Sequence, residues 1–185
     1  GSIADCRIYN TLLSQQEICA IMQERPINTS LQRNIGKNLA VWWTLNEGNG
    51  SVLHDYSGNG RTLTLNNWPT WVYTAPNTSK CLRFESTKIQ TANTVTTFAL
   101  GSDLGATTKL TVSAWIKGAA TTWNTGNAGV THRAQASAGA EYGFLLAPIA
   151  STSNMSFYAY TTTGNIAQMV VQDITQWHHY VGVYN

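Results

Sequence analysis

The sequence predicts an all-β chain, a two-sheet antiparallel sandwich with one short N-terminal helix, and three observations carry that expectation. The runs "LAVWWTL", "RTLTL", "CLRF", "KLTVSAWIKG", "EYGFLLAPI", "SFYAYTT", "AQMVVQ" and "WHHYVGVYN" are short and rich in Val, Thr, Trp, Tyr and Phe, the residues that fit a pleated, half-buried surface. Gly, Asn, Ser and Pro, the residues of tight turns, separate them. From residue 39 onward no segment keeps the 3.6-residue period of a helix, so the strands must bury their apolar faces against one another.

The N-terminal segment has a different pattern. In "IADCRIYN" alternation sets Ala4, Cys6 and Ile8 on one face and Asp5, Arg7 and Tyr9 on the other. A helix follows: Ser14 and Glu17 have the S-x-x-E spacing of a capping box, Ile18, Ile21 and Met22 form a short apolar stripe, and Pro26 stops it. The division expected is 1–26 as strand plus helix, a polar linker over 27–38, and a main sandwich over 39–185.

Composition excludes several partners. Charged residues make up 11% of the 185, against about 25% in an average globular protein, which leaves a neutral polar surface of Thr, Asn, Ser and Gly. The net charge of +2 comes from scattered Lys and Arg with no basic run, so nucleic acid is not expected as a partner. No apolar stretch approaches the roughly 18 residues that span a bilayer, so membrane insertion is not expected either. Cys6, Cys19 and Cys81 form no CxxC pair and are odd in number, which favours reduced, buried thiols over zinc or disulfides.

The stretch from Trp42 to Leu65 holds two Gly-Asn-Gly triplets, Gly48 to Gly50 and Gly58 to Gly60. A dinucleotide loop needs a third glycine where this chain has Leu53, and no G-K-[ST] triplet exists, so phosphate binding is excluded. Tight turns with positive φ explain the glycines.

Three motifs here occur in the order of one family. "LAVWWTLNEGNGSVLHDYSGNGRTLTL" resembles the opening of a laminin-G-like, concanavalin A-like lectin/glucanase module. "KLTVSAWIKG" resembles the central tryptophan strand of such modules, and "QWHHYVGVYN" their W-H-H strand. A fourth segment, "GSIADCRIYNTLLSQQEI", resembles the module's end, a D-x-R-I-Y strand leading into an L-S-x-x-E-I helix, yet here it comes first. Two arrangements fit: a fragment cut across tandem repeats, or a permuted module whose first segment folds back as its last strand. The family's hairpin after the W-H-H strand is missing, so the fragment is preferred and the 39–185 sandwich is expected to lack its last strands. Either way residues 1–24 are expected to pack on the 39–185 sheet or on a neighbouring chain.

The resemblance implies a jelly-roll fold and a role as a non-catalytic module of a larger secreted, cell-surface or virion protein, such as a phage structural protein. Fold-sharing glucanases carry an E-x-D-x-x-E strand with two carboxylates on one face. This chain has none, Asp103, Glu141 and Asp173 standing alone, so no enzyme is expected. His178 and His179 are adjacent on a strand and point to opposite faces, which prevents a shared metal. Related sandwiches often hold one structural Ca²⁺. Carried onto this sequence, Asp55 and Asn59 are its ligands with Glu47 a third, unless Asp55 caps its own turn.

A glycan or polysaccharide is the leading ligand. Loop aromatics that stack on pyranose faces beside amide and hydroxyl groups are the expected platform: Trp68, Trp71 and Tyr73 in "NNWPTWVY", and Trp123 with Asn124 in "TTWNTGN". Trp42, Trp43, Trp115 and Trp177 lie in strand motifs, where core packing is expected. The alternative is a structural repeat or decoration domain whose exposed sheet edges pair with neighbouring modules or chains and which has no sugar site.

Overall fold

A computed structural model describes residues 1–23, 35–76, 80–85, 90–94, 109–120, 129–135, 141–160 and 165–185. The described residues are mostly β, in antiparallel sheets and with little helix, well above the strand share of an ordinary globular protein. A strand β1 (Ser2–Tyr9) and a helix α1 (Gln15–Gln23) come first. Then follow β2 (Leu39–Trp43), β3 (Val52–Leu53), β4 (Leu63–Asn66), β5 (Thr70–Val72), β6 (Cys81–Arg83) and β7 (Thr91–Thr94). The remainder is β8 (Leu110–Lys117), β9 (Val130–Gln135), β10 (Glu141–Pro148), β11 (Asn154–Tyr160), β12 (Asn165–Val170) and β13 (His178–Tyr184).

These strands form a six-stranded sheet of order β13-β8-β1-β6-β5 with β2 also on β1, a four-stranded sheet β12-β11-β10-β9, and a three-stranded sheet β3-β4-β7. β1 runs antiparallel to β8 on one side; on the other, Ser2 and Ile3 pair with β6 while Cys6 to Tyr9 pair with β2. Residues 1–23 are thus built into the same sheet as the later strands, with β1 in its interior.

One apolar cluster joins all three sheets. It contains Ile8, Val41, Trp43, Leu82, Val112, Ile116 and Tyr180 from the six-stranded sheet, Phe144, Met155 and Phe157 from the four-stranded one, and Leu53 and Leu63 from the third. Side chains of this size contribute about 1.5–3 kcal/mol each when fully buried. Two sheets approach closely where Gly182 on β13 faces Phe157 on β11: a Cβ at Gly182 would meet the ring at 2.2 Å.

A smaller cluster of Tyr9, Leu13, Ile21 and Ile35 holds α1 against the opposite face of β1. The capping box forms as its spacing predicts. Glu17 Oε2 accepts from Ser14 N at 2.7 Å and from Ser14 Oγ at 2.8 Å, and Glu17 N donates to Ser14 Oγ at 3.3 Å. Besides α1, a helical turn over 35–37 lies at the end of the stretch expected as linker. Ile35 buries there against Tyr9 and Leu13, so the turn is held by packing.

The strict alternation expected in β1 is also corrected. The β1–β8 register shifts between Ala4 and Arg7, and Asp5 has a left-handed φ of 46°. One extra residue is therefore inserted, a β-bulge of the kind that places its first residue in the left-handed region. Cys6 and Ile8 keep the core side, while Ala4 falls in the ladder row of Trp115 and His179, on the other face.

Candidate functional site

Both Gly-Asn-Gly triplets are turns. Gly48, Gly50, Gly58 and Gly60 all have φ between 71° and 87°, the region that glycine enters without steric cost. Asp55 organises the second turn: Oδ1 accepts from Trp42 N at 3.0 Å and Ser57 N at 2.9 Å, and Oδ2 from Arg61 N at 2.9 Å. Burial alone raises its pKa, but hydrogen bonds from Ser57 and from the amides of Arg61 and Trp42 outweigh that and hold it below the usual carboxylate value.

Asn59 Nδ2 donates to Leu39 O, Ala40 O and Ser57 Oγ, tying the turn to β2. Glu47 belongs to the first turn, where Oε1 accepts from His54 N at 2.9 Å and Oε2 is buried without a hydrogen-bond partner among the described residues. Asp55, Asn59 and Glu47 are thus engaged in separate backbone contacts. Among the described residues no group of three His, Cys, Asp or Glu side chains is placed to hold a metal, and the donor set fits the turn-capping role of Asp55 better than a cation cage.

The aromatic candidates separate by exposure. Trp68 is 85% exposed and, with Asn67, sits in a left-handed turn at φ 55° and 57°. That backbone is sparsely populated for a large residue, and strain of this kind costs on the order of 1–3 kcal/mol unless the surroundings fix it. Gln90 supplies the fixing: Nε2 donates to Asn67 O at 3.1 Å and Trp68 O at 2.9 Å, while Oε1 accepts from Glu85 N at 2.6 Å.

Tyr73 is 69% exposed, with Lys80 Nζ 5.9 Å from its ring centre. Trp71 is the register partner of buried Leu82, packs against the main core and donates from Nε1 to Gly50 O at 3.3 Å. It serves the core rather than an open platform. Trp123 and Asn124 lie outside the described residues.

The strand tryptophans divide in a way that alternation alone does not give. Trp43 is in the core, but Trp42 and Trp115 are on the opposite face of the six-stranded sheet, so core packing is corrected for these two. Trp177 is half-buried and donates from Nε1 to Thr74 O at 2.6 Å. On the outer face Asp5, 2% exposed, accepts at Oδ1 from Arg7 Nε at 2.9 Å and from Trp42 Nε1 at 2.8 Å. The Arg7 guanidinium lies 4.6 Å from the Trp42 ring centre, and Tyr56 meets that ring edge-on at 6.1 Å.

Two strands away, His179 lies 5.2 Å from Trp115, ring centre to ring centre. Burial lowers the His179 pKa to about 4, opposed by Asp5 and aided by Arg7. The imidazole is therefore neutral at pH 7. Sequence patterning missed this aromatic and charged face, although D-x-R beside an adjacent Trp pair is its only visible signal.

Compared with protein-family models, curated proteins and solved structures, the chain matches none.

Proposed function

We propose that the chain is a concanavalin A-like jelly-roll sandwich acting as a non-catalytic carbohydrate-binding module. The fold part is supported by strand adjacency. The four segments that resemble the laminin-G-like family contribute β2, β1, β8 and β13, which lie side by side in one sheet, while the first of them also supplies β3 and β4 of the three-stranded sheet. The low charge and the Thr- and Asn-rich surface fit an extracellular, cell-surface or virion setting. Among the described residues no helix is long and apolar enough to cross a membrane.

The binding part rests on Trp68, a flat, open aromatic held by Gln90 in a backbone conformation that a bulky residue rarely adopts. Such an arrangement favours stacking on a pyranose face. A glycan array with the wild-type chain, followed by titration of the best ligand into Trp68→Ala, tests it. Stacking predicts a loss of about tenfold or more in affinity at unchanged melting temperature. Undiminished binding by Trp68→Ala refutes the platform.

A structural reading is favoured by one observation. β12, an edge strand, exposes Met169 and Val170, and edge strand β13 exposes Val183. Apolar side chains on an unpaired edge invite strand addition by a neighbour. Concentration-dependent association that Val170→Lys abolishes, in a chain that binds no glycan, selects this reading over the first.

A further inference from the structure

On the face of the six-stranded sheet turned away from the core, Ser2 pairs with Arg83 of β6 on one side and with Lys117 of β8 on the other. Directly opposed residues of antiparallel strands project from the same face. The next row, Ile3 with Leu82 and Ile116, points into the core. Arg83, Ser2 and Lys117 thus stand in line across three strands, the two cations about 10 Å apart at the backbone by the usual strand spacing.

Above this row lies an open cleft of about 490 Å³, within the roughly 300–1,000 Å³ of small-ligand sites. Its walls are Val72 of β5 with Thr74 just after it, and Thr175 and Gln176 before β13. The walls are tied down. Trp177 Nε1 donates to Thr74 O at 2.6 Å, Gly118 N to Ile174 O at 2.7 Å, and Thr175 N to Asp173 Oδ1 at 2.9 Å. Among the described residues no carboxylate side chain lines the cleft, and neither Arg83 nor Lys117 has an ion-pair partner.

Trp68 is not a lining residue of the cleft but stands just before β5, whose Val72 lines it. Trp68 precedes by two residues Thr70, the register partner of Arg83. Gln90 joins Trp68 O to Glu85 N, two residues beyond Arg83.

We propose that this cleft takes the oxyanion of an acidic saccharide, a uronate carboxylate or a sulfate ester, whose sugar ring extends toward Trp68. The inference rests on the carbohydrate reading and narrows its ligand class. The Arg83 fork accepts two oxygens of the anion, Lys117 adds a point charge from the other side, and the Ser2, Thr74 and Thr175 hydroxyls meet the sugar hydroxyls.

Calorimetric titration of the whole chain with four probes tests it: a hexameric polyuronate, a sulfated hexasaccharide, a neutral hexasaccharide and inorganic sulfate. At low salt an acidic saccharide binds about tenfold tighter than the neutral one, and Arg83→Gln or Lys117→Gln removes that margin with unchanged melting temperature. Preference for the uronate or for the sulfate ester identifies the oxyanion. Equal binding of neutral and acidic saccharides, insensitive to both substitutions, overturns the inference and leaves the carbohydrate reading standing. No saccharide binding at all overturns both. Inorganic sulfate binding as tightly as the saccharides overturns the saccharide ligand and leaves a bare anion site.

Discussion

Asp5 and Arg7 form a buried ion pair on β1, Nε to Oδ1 at 2.9 Å, with side-chain exposures of 3% and 11%. Removing the cation alone strands a carboxylate that water cannot reach. Arg7→Met is expected to cost about 3–5 kcal/mol in urea unfolding, the usual penalty for breaking a buried pair. Adding Asp5→Asn to that variant is expected to return part of the loss, since Asn tolerates the left-handed φ of Asp5 and carries no charge. A double-mutant cycle with no coupling between the two positions contradicts the pair.

His179 makes stability depend on pH. Its folded pKa, about 4, lies below the ordinary histidine value of 6.5, so between these values the unfolded chain binds more protons. Stability is therefore full above pH 6.5 and falls as pH drops toward 4, by on the order of 2–3 kcal/mol. Unfolding free energies measured at pH 7.5 and 5 should show this decline, and His179→Gln should flatten it.

Asp55 caps the second Gly-Asn-Gly turn by accepting from the amides of Trp42, Ser57 and Arg61. Asp55→Ala leaves three amides without their acceptor and is expected to cost about 1–3 kcal/mol, toward the lower figure because water reaches part of the turn. The lowered pKa adds stability that is present above pH 4 and lost as the pH falls through the folded value. Melting curves of the wild-type chain with excess EDTA and with millimolar CaCl₂ should coincide. A calcium-dependent rise in melting temperature would assign the cation to Asp55, Asn59 and Glu47.

Gly182 lets two sheets approach. Gly182→Ala drives a methyl group into the Phe157 ring and is expected to cost about 1–3 kcal/mol. Phe157→Leu in the same chain should relieve the clash at the price of a smaller core contact. If Gly182→Ala melts like the wild type, the contact between β13 and β11 is looser than described.

The strands that the sequence left unread, β3, β5, β7 and β9, share one property: each is an edge strand. An edge strand is hydrogen-bonded on one side only and needs no continuous apolar run. "VTHRAQ" in β9 and "TANT" in β7 therefore carry no pattern that alternation can detect. The interior strands were legible because two neighbours impose Val, Leu and Trp upon them, and the edge strands β12 and β13 were legible because their own runs are apolar and aromatic. The capping box of Ser14 and Glu17 and the glycine turns were legible because their chemistry is local.

The outward tryptophans were not legible in the same way. Trp42 and Trp43 look alike in sequence, and only the register of β2 against a bulged β1 decides which of them meets Asp5. The cleft draws on β1, β6, β8 and two loops, residues brought together by pairings more than 80 positions apart. No spacing rule reaches that far. Motif counting preferred a fragment, whereas the pairing of β1 with β8 and β2 gives the opening segment a place inside the sheet.

The position of β1 beside β8, with β13 on the other side, governs how the chain bears tension. β1 and β13 both run antiparallel to β8, so they run parallel to each other; Ser2 starts at the Lys117 end and Tyr184 finishes at the Leu110 end. A pull between Ser2 and Tyr184 therefore loads these ladders in shear, and their hydrogen bonds must rupture together instead of peeling one at a time. A sheet built this way resists extension between those two points.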